Sequence, residues 1–303
     1  MSEFTVLQGN LQKLLPEIEL RFDEPMSRHT SFRIGGPVEV MAFPKTSEQL
    51  AKILKTSALM DLKPAILGAG TNILAPDAGM KGMVICLKDC MDGMEQLDET
   101  HIRVAAGVTM TRAAMFAANL GLSGMEFSHG IPGTIGGGVY MNAGAYGGEI
   151  CQICESVEVM DMAGNFRIMS NEEMKFSYRH SVLEEEQAIV LGATFRLPPS
   201  DCETIKATMK ELQSKRSASQ PLDLPSAGSA FKRPAGGFAA ALIDQAGLKG
   251  FCVGGAGVST KHAGFVVNNG GATSADVKEV LRQVAQKVFD ASGIRLEPEV
   301  RIW

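Results

Sequence analysis

The alternation of apolar and polar positions predicts strands and helices that follow one another in mixed order along the chain. Short apolar runs bounded by turn residues predict strands at residues 64–67, 83–87, 101–105, 156–160, 166–169 and 189–195. Apolar residues spaced three or four positions apart predict helices. Each predicted helix is preceded by hydroxyl residues that are candidate N-caps: Thr46 or Ser47, Thr109 or Thr111, and Thr273 or Ser274. Because the order lacks a regular βαβ alternation, it favours an α+β fold.

Four further segments give expectations that depend on less regular patterns. Apolar residues predict a short amphipathic helix at 9–20, and strands are expected around the turn at 35–37. A charged helix is predicted at 202–215. The last helix should stop at Gly293, where glycine can adopt a positive φ, and a strand should follow at 294–302.

Pro198 and Pro199 mark a predicted domain boundary, because paired prolines continue neither a strand ladder nor a helix. A chain of 303 residues, 45% of them hydrophobic, holds more apolar material than one core usually accommodates. We therefore expect two or three domains. The helices and strands after Pro199 predict a separate α/β lobe.

The charge pattern argues against nucleic acid and membrane partners. The formal net charge is −5, and the basic residues are spread along the chain instead of forming blocks. Residues 1–24 include early acidic residues and lack the basic start and apolar stretch of a secretory signal, and no apolar run is long enough to cross a bilayer. We therefore expect a cytoplasmic protein in which local basic residues hold any anionic ligand.

Cysteine and histidine spacing gives little support for a metal or redox centre. Of the six cysteines, Cys151 and Cys154 share a C-x-x-C spacing, but no second close pair accompanies them. A structural zinc site needs four ligands, and no two of the five histidines have metal-ligand spacing. We expect buried or half-buried reduced thiols and no bound metal.

The first glycine-rich segment is Gly68-Ala69-Gly70, followed by Thr71 and Asn72. It begins like a dinucleotide fingerprint, but the sixth position is an isoleucine, and a proline and a glycine soon after it prevent the helix that this fingerprint requires. Successive N–H groups in such a turn can still bind an anion, and the two polar side chains add donors.

A second glycine-rich segment runs from Gly130 to Gly138 and contains Pro132, which stiffens it. Two such loops can hold one pyrophosphate between them. Either loop alone is equally well explained as a tight turn in a twisted sheet. Their occurrence together favours a bound ligand.

Three polar segments are candidates for substrate chemistry. In the segment 228–234, Ser229 lies among glycines, a proline and two cations, which suits an anionic substrate. Because the segment has no histidine to act as base, Ser229 is a poor candidate for a nucleophile but remains possible as a proton donor. The segments 178–181 and 297–301 are also polar, although each of the three has the alternative of a solvated turn or strand end.

These segments, together with His29–Gly36, occur in the order found in the UDP-N-acetylenolpyruvoylglucosamine reductase family, which this chain resembles from His29 to Arg301. The resemblance implies an N-terminal helical segment at 1–28 and an FAD-binding domain of the vanillyl-alcohol-oxidase type, with two subdomains, at 29–197. A substrate-binding domain at 198–303 completes this plan. Residues 182–187 contain no tyrosine, so the chain is similar to the shorter form of the family, which lacks a tyrosine-bearing loop.

The resemblance also implies an activity, in which NADPH supplies hydride through non-covalently bound FAD to UDP-N-acetylglucosamine enolpyruvate, forming UDP-N-acetylmuramate. Arg179 and Glu299 match residues that stabilise the developing negative charge, and Ser229 matches the general acid. Glu299 should be protonated when it acts, because an ionised carboxylate would repel that charge. A monomer is expected.

The resemblance assigns the remaining site residues to two ligands. Flavin contacts are expected at Gly68, Ala69, Gly70, Thr71, Asn72, Gly130, Ile131, Pro132, Gly133, Thr134, Gly136 and Gly137. Substrate contacts are expected at Tyr178, Lys232 and Arg233, although many relatives have asparagine in place of Arg233. Two alternatives remain open: an oxidase of the same flavin fold that uses oxygen, and a binding module without turnover.

Overall fold

The computed structural model describes residues 3–235 and 237–303. The helices are α1 (Glu3–Leu14), α2 (Ser47–Leu59), α3 (Met110–Asn119), α4 (Ile135–Tyr140), α5 (Leu183–Glu186), α6 (Cys202–Ser219), α7 (Ala239–Gln245) and α8 (Ser274–Ser292). Short 3-10 helices lie at Met26–Arg28, Glu126–Ser128 and Ile150–Gln152. No helix within the described ranges is long and apolar enough to cross a membrane.

The strands are β1 (Glu19–Pro25), β2 (Pro37–Phe43), β3 (Ala65–Leu67), β4 (Ile73–Leu74), β5 (Met80–Cys86), β6 (Met94–Gln96), β7 (His101–Ala105), β8 (Gly144–Ala145), β9 (Gly148–Glu149), β10 (Cys154–Met160), β11 (Phe166–Ser170), β12 (Ile189–Arg196), β13 (Ser226–Ser229), β14 (Cys252–Val253), β15 (Ala256–Val258), β16 (Phe265–Asn268) and β17 (Arg301–Ile302). The larger sheets have the orders β1-β2-β5-β3, β11-β10-β12-β7-β6 and β13-β16-β15-β14. Most pairs are antiparallel, and helices do not alternate regularly with strands. The predicted α+β class is confirmed.

Helix starts and stops agree with the local signals in the sequence. The side chains of Thr46, Thr109 and Thr273 accept hydrogen bonds from the first turns of α2, α3 and α8. Gly293 has a φ of 72° directly after α8, a conformation that costs glycine little. The predicted caps are therefore confirmed.

The apolar pattern was misleading where proline intervenes. The first helix ends at Leu14 instead of continuing to residue 20, because the residue before Pro16 is disfavoured in the helical region. The expected strand at 294–302 is formed only at Arg301–Ile302, since Pro298 has no N–H to donate to a ladder. Strand β2 begins at Pro37, so the strand expected before the turn at 35–37 is absent from the structure.

Residue contacts divide the chain into two compact units that are discontinuous in sequence. The first unit contains the described residues up to Phe22, residues 39–69 and residues 82–215. The second contains residues 23–38, 70–81 and the described residues from Arg216 onward. This division differs from the consecutive ranges 1–28, 29–197 and 198–303, which stay predictions for functional domains.

The predicted boundary at Pro198 lies inside the first unit, for a local reason. The Pro198 carbonyl accepts a hydrogen bond from Ser123 N at 2.9 Å, and the Ser200 amide donates to Gly121 O at 2.7 Å. The α6 side chains Ile205 and Met209 then join the first hydrophobic core. Prolines stop a strand here, but packing keeps the following helix with the unit that precedes it.

Each unit has its own hydrophobic core. In the first, α3 and the five-stranded sheet bury residues such as Ala113, Val157 and Ala193. In the second, the predicted apolar stripe of α8 is fully buried and packs with Phe32 and Leu74. A helix with one such stripe gains its stability from burying that face.

Candidate active site

The second glycine loop is held by backbone hydrogen bonds to one neighbouring segment of the first unit. Backbone carbonyls of residues 106–110 accept hydrogen bonds from the amides of Ile135 and Gly136 at 2.8 and 2.9 Å. One amide of the same range donates to the Gly133 carbonyl at 3.0 Å. Thr111 Oγ1 accepts from Gly130 N at 3.2 Å. The loop's backbone is therefore fixed before any ligand binds.

Two of this loop's glycines are closely packed against neighbouring residues, and one is not. A Cβ at Gly136 would lie 3.0 Å from the Ala106 Cβ, and one at Gly138 would lie 2.7 Å from the Met110 sulfur. A Cβ at Gly137 would meet only Thr134 Oγ1, at 3.8 Å, and Gly137 is exposed. The bare backbone at Gly137 therefore has room beside it that the protein itself does not fill.

The first and second loops meet within the first unit. An ideal Cβ on Gly68 would lie 2.7 Å from Oγ1 of Thr134. Thr134 is buried and caps α4 through Gly137 N. The sequence predicted that the two loops approach each other, and Gly68 and Thr134 do so, while Ala69 and Ile131 are half-buried and Pro132 is exposed.

The first loop continues into the second unit at Gly70, Thr71 and Asn72. Gly70 has a φ of 62°, and a Cβ there would lie 2.0 Å from the His29 carbonyl oxygen, so packing alone requires glycine. The Asn72 side-chain amide donates to the Glu299 carbonyl at 3.1 Å. This hydrogen bond occupies one of the two hydrogens of the Asn72 side-chain amide, which the sequence suggested as a donor to an anion.

Arg179 lies in a two-residue turn of the first unit, closed by hydrogen bonds between Ser177 and His180 at 3.1 and 3.2 Å. Its φ is 56°, which is uncommon for a residue with a Cβ and is the conformation that a tight two-residue turn requires. The guanidinium donates to the Gly144 carbonyl at 3.2 Å and lies 4.9 Å from the centre of the Tyr178 ring. The two predicted residues are therefore adjacent and share one turn.

Asn142 holds this turn in place, and sequence reasoning did not identify it. Asn142 is buried and has a φ of 42°. Its amide donates to the Ser177 carbonyl and to Glu149, both at 3.0 Å, and its Oδ1 accepts from Cys151 N at 2.9 Å. Asparagine tolerates the left-handed region, so an Asn before a glycine-rich turn was the one available signal.

Tyr146 is a second residue that the sequence did not single out. It forms a two-residue turn with Gly147 between β8 and β9, and the two residues have φ values of 55° and 87°. Such a turn favours asparagine or glycine at its first position. An exposed tyrosine in that conformation lies in the same hairpin that accepts the Arg179 hydrogen bond.

Ser229 lies directly after an irregularity in β13. Ser226 pairs with Val267 and Ser229 pairs with Phe265, so three steps on β13 face two steps on β16. Gly228 adopts a φ of 74° within this bulge. A bulge redirects the side chain that follows it, and the Ser229 side chain is exposed.

Backbone pairing in the second unit places Glu299 opposite Ala230, the residue that follows Ser229. The Glu299 amide donates to the Ala230 carbonyl at 2.9 Å, and the Lys232 amide donates to the Glu297 carbonyl at 2.8 Å. The predicted residues Ser229, Lys232 and Glu299 therefore belong to one pair of antiparallel segments.

The two predicted cations of this segment have different neighbours. Lys232 Nζ lies 3.6 Å from a Glu297 carboxylate oxygen in an exposed ion pair. The Arg233 guanidinium stacks over the Phe238 ring at 4.0 Å. Lys232 therefore contacts a carboxylate and Arg233 contacts an aromatic ring.

The cysteines agree with the reduced-thiol interpretation. All six are free, with Cys151 half-buried and Cys154 buried. Burial raises the pKa of the Cys154 thiol to about 12 and also raises that of Cys151, whereas reactive thiols have lowered values. Within residues 3–235 and 237–303, no group of three or more His, Cys, Asp or Glu side chains could hold a metal ion.

A cavity of about 330 Å³ lies beside α6 in the first unit. Its lining residues are Met115, His129, Lys206, Met209, Lys210, Gln213 and Ser214. Because His129 directly precedes Gly130, this cavity adjoins the second glycine loop.

Comparison with known sequences identifies both parts of the chain. A profile of FAD binding domains matches residues 38–170, and a profile of the C-terminal domain of UDP-N-acetylenolpyruvoylglucosamine reductase matches residues 220–303. The two matches agree with the expected fold, in which an FAD-binding domain precedes a C-terminal substrate domain.

Individual relatives match almost the whole chain. UDP-N-acetylenolpyruvoylglucosamine reductase of Caldanaerobacter subterraneus is 44% identical over 297 residues, which are 98% of both chains. The enzyme of the same name from Clostridioides difficile is 42% identical over 293 residues, covering 97% of this chain and 96% of that one. The crystal structure of the Thermus caldophilus enzyme has a TM-score of 0.80 at 34% identity, covering 95% of this chain and 99% of that chain.

Proposed function

The chain belongs to the UDP-N-acetylenolpyruvoylglucosamine reductase family, and from this premise we propose that it uses NADPH and bound FAD to reduce UDP-N-acetylglucosamine enolpyruvate to UDP-N-acetylmuramate, a step of peptidoglycan precursor synthesis. The observation that carries this proposal is the antiparallel pairing of the two segments that contain Ser229 and Glu299, in which Glu299 N donates to the carbonyl of Ala230, the residue after Ser229. We further propose that the protein acts as a cytoplasmic monomer.

The glycine loops fit a flavin nucleotide. Gly137 is exposed, and its missing side chain is not explained by packing, so a ligand's close approach explains it best. We assign FAD to Gly68, Ala69, Gly70, Thr71, Asn72, Gly130, Ile131, Pro132, Gly133, Thr134, Gly136 and Gly137. When bound, FAD would supply the hydride chemistry that links NADPH to the vinyl carbon of the substrate.

Arg179 and Glu299 are assigned to charge stabilisation. Reduction of the enolpyruvyl group places negative charge on the adjacent carbon and its carboxylate, so donors positioned there lower the barrier. Arg179 is always charged, and its turn is closed by hydrogen bonds in the first unit. Glu299 contributes in its protonated form, as a hydrogen-bond donor.

Ser229 is assigned the final proton transfer to carbon. A serine hydroxyl is a weak acid, and a neighbouring cation makes the loss of its proton less costly. Lys232, three residues further along the same segment, is the nearest cation in sequence. The bulge at Gly228 fixes the direction of the Ser229 side chain, which a general acid requires.

Substrate binding is assigned to Tyr178, Lys232 and Arg233. The substrate carries a diphosphate and a carboxylate, and charge-assisted hydrogen bonds to such groups are about twice as strong as neutral ones. Stacking over Phe238 keeps the Arg233 guanidinium in one plane.

The proposal is tested by following NADPH oxidation in the presence of UDP-N-acetylglucosamine enolpyruvate. We expect turnover by the wild type and, for Lys232→Ala, a KM raised about tenfold or more with normal FAD content, since a lost charged partner costs about 1.5–3 kcal/mol. Lys287→Ala, a lysine on α8 over the Phe251 ring, serves as the control and should behave as wild type.

Two results would contradict the proposal. Consumption of oxygen with an alcohol substrate, but no NADPH oxidation with the enolpyruvyl compound, would identify an oxidase of the same flavin fold. Bound FAD without turnover of either substrate would identify a binding module.

A further inference from the structure

Ser31 lies in a closed turn within the segment His29–Gly36, to which the proposed reaction assigns no role. Thr30 Oγ1 donates to the Ile34 carbonyl at 2.8 Å and accepts from Ile34 N at 3.3 Å. The Arg33 amide donates to the Thr30 carbonyl at 3.0 Å, and Arg33 has a φ of 57°. The turn therefore closes without help from the Ser31 side chain.

The same turn is anchored to the second core by its other residues. Phe32 is buried in that core. Its carbonyl accepts a hydrogen bond from the side-chain amide of Asn268, itself buried, at 2.9 Å. Removal of the Ser31 hydroxyl should therefore leave the fold of the turn intact.

Ser31 connects two separate segments of the second unit. Its amide donates to the Gly70 carbonyl at 3.1 Å, and its hydroxyl donates to the Ser226 carbonyl at 2.5 Å. The hydroxyl also lies 3.4 Å from the Gly70 carbonyl. Because a hydroxyl has one proton, the shorter contact to Ser226 takes it and the amide serves Gly70.

The partners of Ser31 lead to the proposed flavin loop and the proposed proton donor. Ser226 is the first residue of β13, and Ser229 is the last. Gly70 and Asn72 belong to one short loop, and Asn72 donates to the Glu299 carbonyl at 3.1 Å and accepts from Arg301 N at 2.9 Å. Both β13 and the Glu299 segment are thus tied to the loop at 70–72.

We propose that Ser31 is a positioning residue that holds the Ser229-bearing strand in register with the loop at Gly70, so that the proton donor is correctly placed for the second half of the reaction. The proposal rests on the proposed function, because that function gives Ser229 its role. Strand β13 remains paired with β16 without Ser31. Without the Ser31 hydroxyl, the distance between β13 and the loop at Gly70 is no longer fixed, although both segments take part in the proposed reaction.

The first test measures this connection without turnover. In Ser31→Ala holoprotein, amide hydrogen exchange of peptides covering Ser226–Ser229 should be faster than in the wild type, while Ser31→Thr, which keeps the hydroxyl, should restore protection. The control is Ser292→Ala, which removes a hydroxyl that donates to the Val288 carbonyl in the same unit. That variant should leave exchange of β13 unchanged.

The second test separates the two half-reactions by stopped flow. Ser31→Ala should retain FAD and be reduced by NADPH at the wild-type rate, but reoxidation by the enolpyruvyl substrate should slow by roughly tenfold, since small misplacements of a reacting group cost up to about a hundredfold. Ser31→Thr should recover most of this rate. Equal slowing of both half-reactions, or no slowing of either, would overturn the proposal.

Two further outcomes are distinguishable. If the wild type is not reoxidised by the enolpyruvyl substrate, the proposed function fails; if the wild type is reoxidised and Ser31→Ala matches it, only the role of Ser31 fails. Should Ser31→Ala not accumulate as folded holoprotein, Ser31→Cys, with its weaker donor, replaces it. Slower reoxidation alone would then support the proposal, and unchanged reoxidation would overturn it.

Discussion

Glycine occurs in the two loops for different physical reasons that only the structure separates. At Gly70 a side chain would collide with the His29 carbonyl, whereas at Gly137 it would meet nothing closer than 3.8 Å. Substitution at Gly70 therefore disturbs the protein itself. Substitution at Gly137 therefore tests the proposed flavin contact with little disturbance of the protein's own packing.

Gly137→Val should give folded protein with weakened FAD binding. Forcing a side chain into an occupied contact costs about 1–3 kcal/mol, which is about five- to 150-fold in affinity. The measurement is flavin absorbance relative to protein concentration during dilution. Gly93→Val, at an exposed glycine with nothing within 4 Å, is the matched control and should stay fully loaded. Full loading of Gly137→Val would remove this residue from the flavin site.

Sequence reasoning proposed candidate site residues by resemblance but did not single out Asn142 or Ser31, which hydrogen-bond around them. Asn142 binds three partners around the Arg179 turn, and Ser31 binds a residue 195 positions away. Asparagine and serine are common in turns, so neither type carries a distinctive local pattern. Their roles depend on contacts between distant segments, which periodicity and spacing do not encode.

Helix ends could be predicted because their signals are local. Threonine caps, a glycine C-cap and an apolar stripe lie within a few residues of the structure that they specify, as in α8. The two-residue strand β4 lacked a signal, since two residues have no period, and β17 covers only the end of the strand predicted at 294–302. Their parallel pairing is set by the fold around them.

Helix α8 has a long-range cap that can be tested. The Asp77 carboxylate accepts hydrogen bonds from the amides of Ser274 and Ala275 at 2.8 and 3.2 Å. Asp77→Ala should lower stability by about 1 kcal/mol, the usual effect of losing a cap. Thermal unfolding measures this change. Asp77→Asn keeps an acceptor and should lose less, and equal losses in the two variants would show that the hydrogen bonds are unimportant.

An ion-pair cluster at the start of β7 predicts a pH-dependent contribution to stability. His101 contacts Asp98 at 2.9 Å and Glu155 at 2.8 Å. Hydrogen bonds to Asp98 and then Glu155 raise the pKa of His101. A histidine with a raised pKa stabilises the fold fully below its ordinary pKa of about 6.5 and loses this contribution as the pH rises through the raised value.

The difference in Tm between wild type and His101→Gln should therefore be larger near pH 6 than near pH 9, by about two degrees for an exposed cluster. Thermal unfolding across this range is the measurement. The pKa of Asp98 is lowered to about 2, first by the Thr100 amide and then by His101, so Asp98 stays ionised throughout the range. A difference that grows with rising pH would contradict the assignment.

At the scale of the whole molecule, the sequence predicted the fold class and the family, whereas the two compact units follow from contacts between segments distant in sequence. The second unit recruits residues 23–38 and 70–81 from the part of the chain expected to form the flavin domain. Phe32, Ile34 and Leu74 explain this recruitment, because they are buried in the second core. Composition shifts and prolines indicate boundaries along the chain. Which segments form one compact unit depends instead on the shared burial of apolar residues that are far apart in sequence.

The second unit therefore contains part of a predicted flavin loop together with Ser229 and Glu299. Asn72 bonds to the Glu299 carbonyl inside this unit. In the proposed reaction, reduction by NADPH needs neither Ser229 nor Glu299, while transfer to the enolpyruvyl group needs both. The two half-reactions should respond differently to one substitution.

The most direct measurement is stopped-flow kinetics of both half-reactions in wild type and Ser229→Ala. The wild type should be reduced by NADPH and reoxidised by UDP-N-acetylglucosamine enolpyruvate. In Ser229→Ala, reduction by NADPH should stay near normal, while reoxidation should slow by about a hundredfold or more, the range for losing a general acid. Normal reoxidation in Ser229→Ala would show that another group delivers the proton, and a wild type that the enolpyruvyl substrate does not reoxidise would contradict the account as a whole.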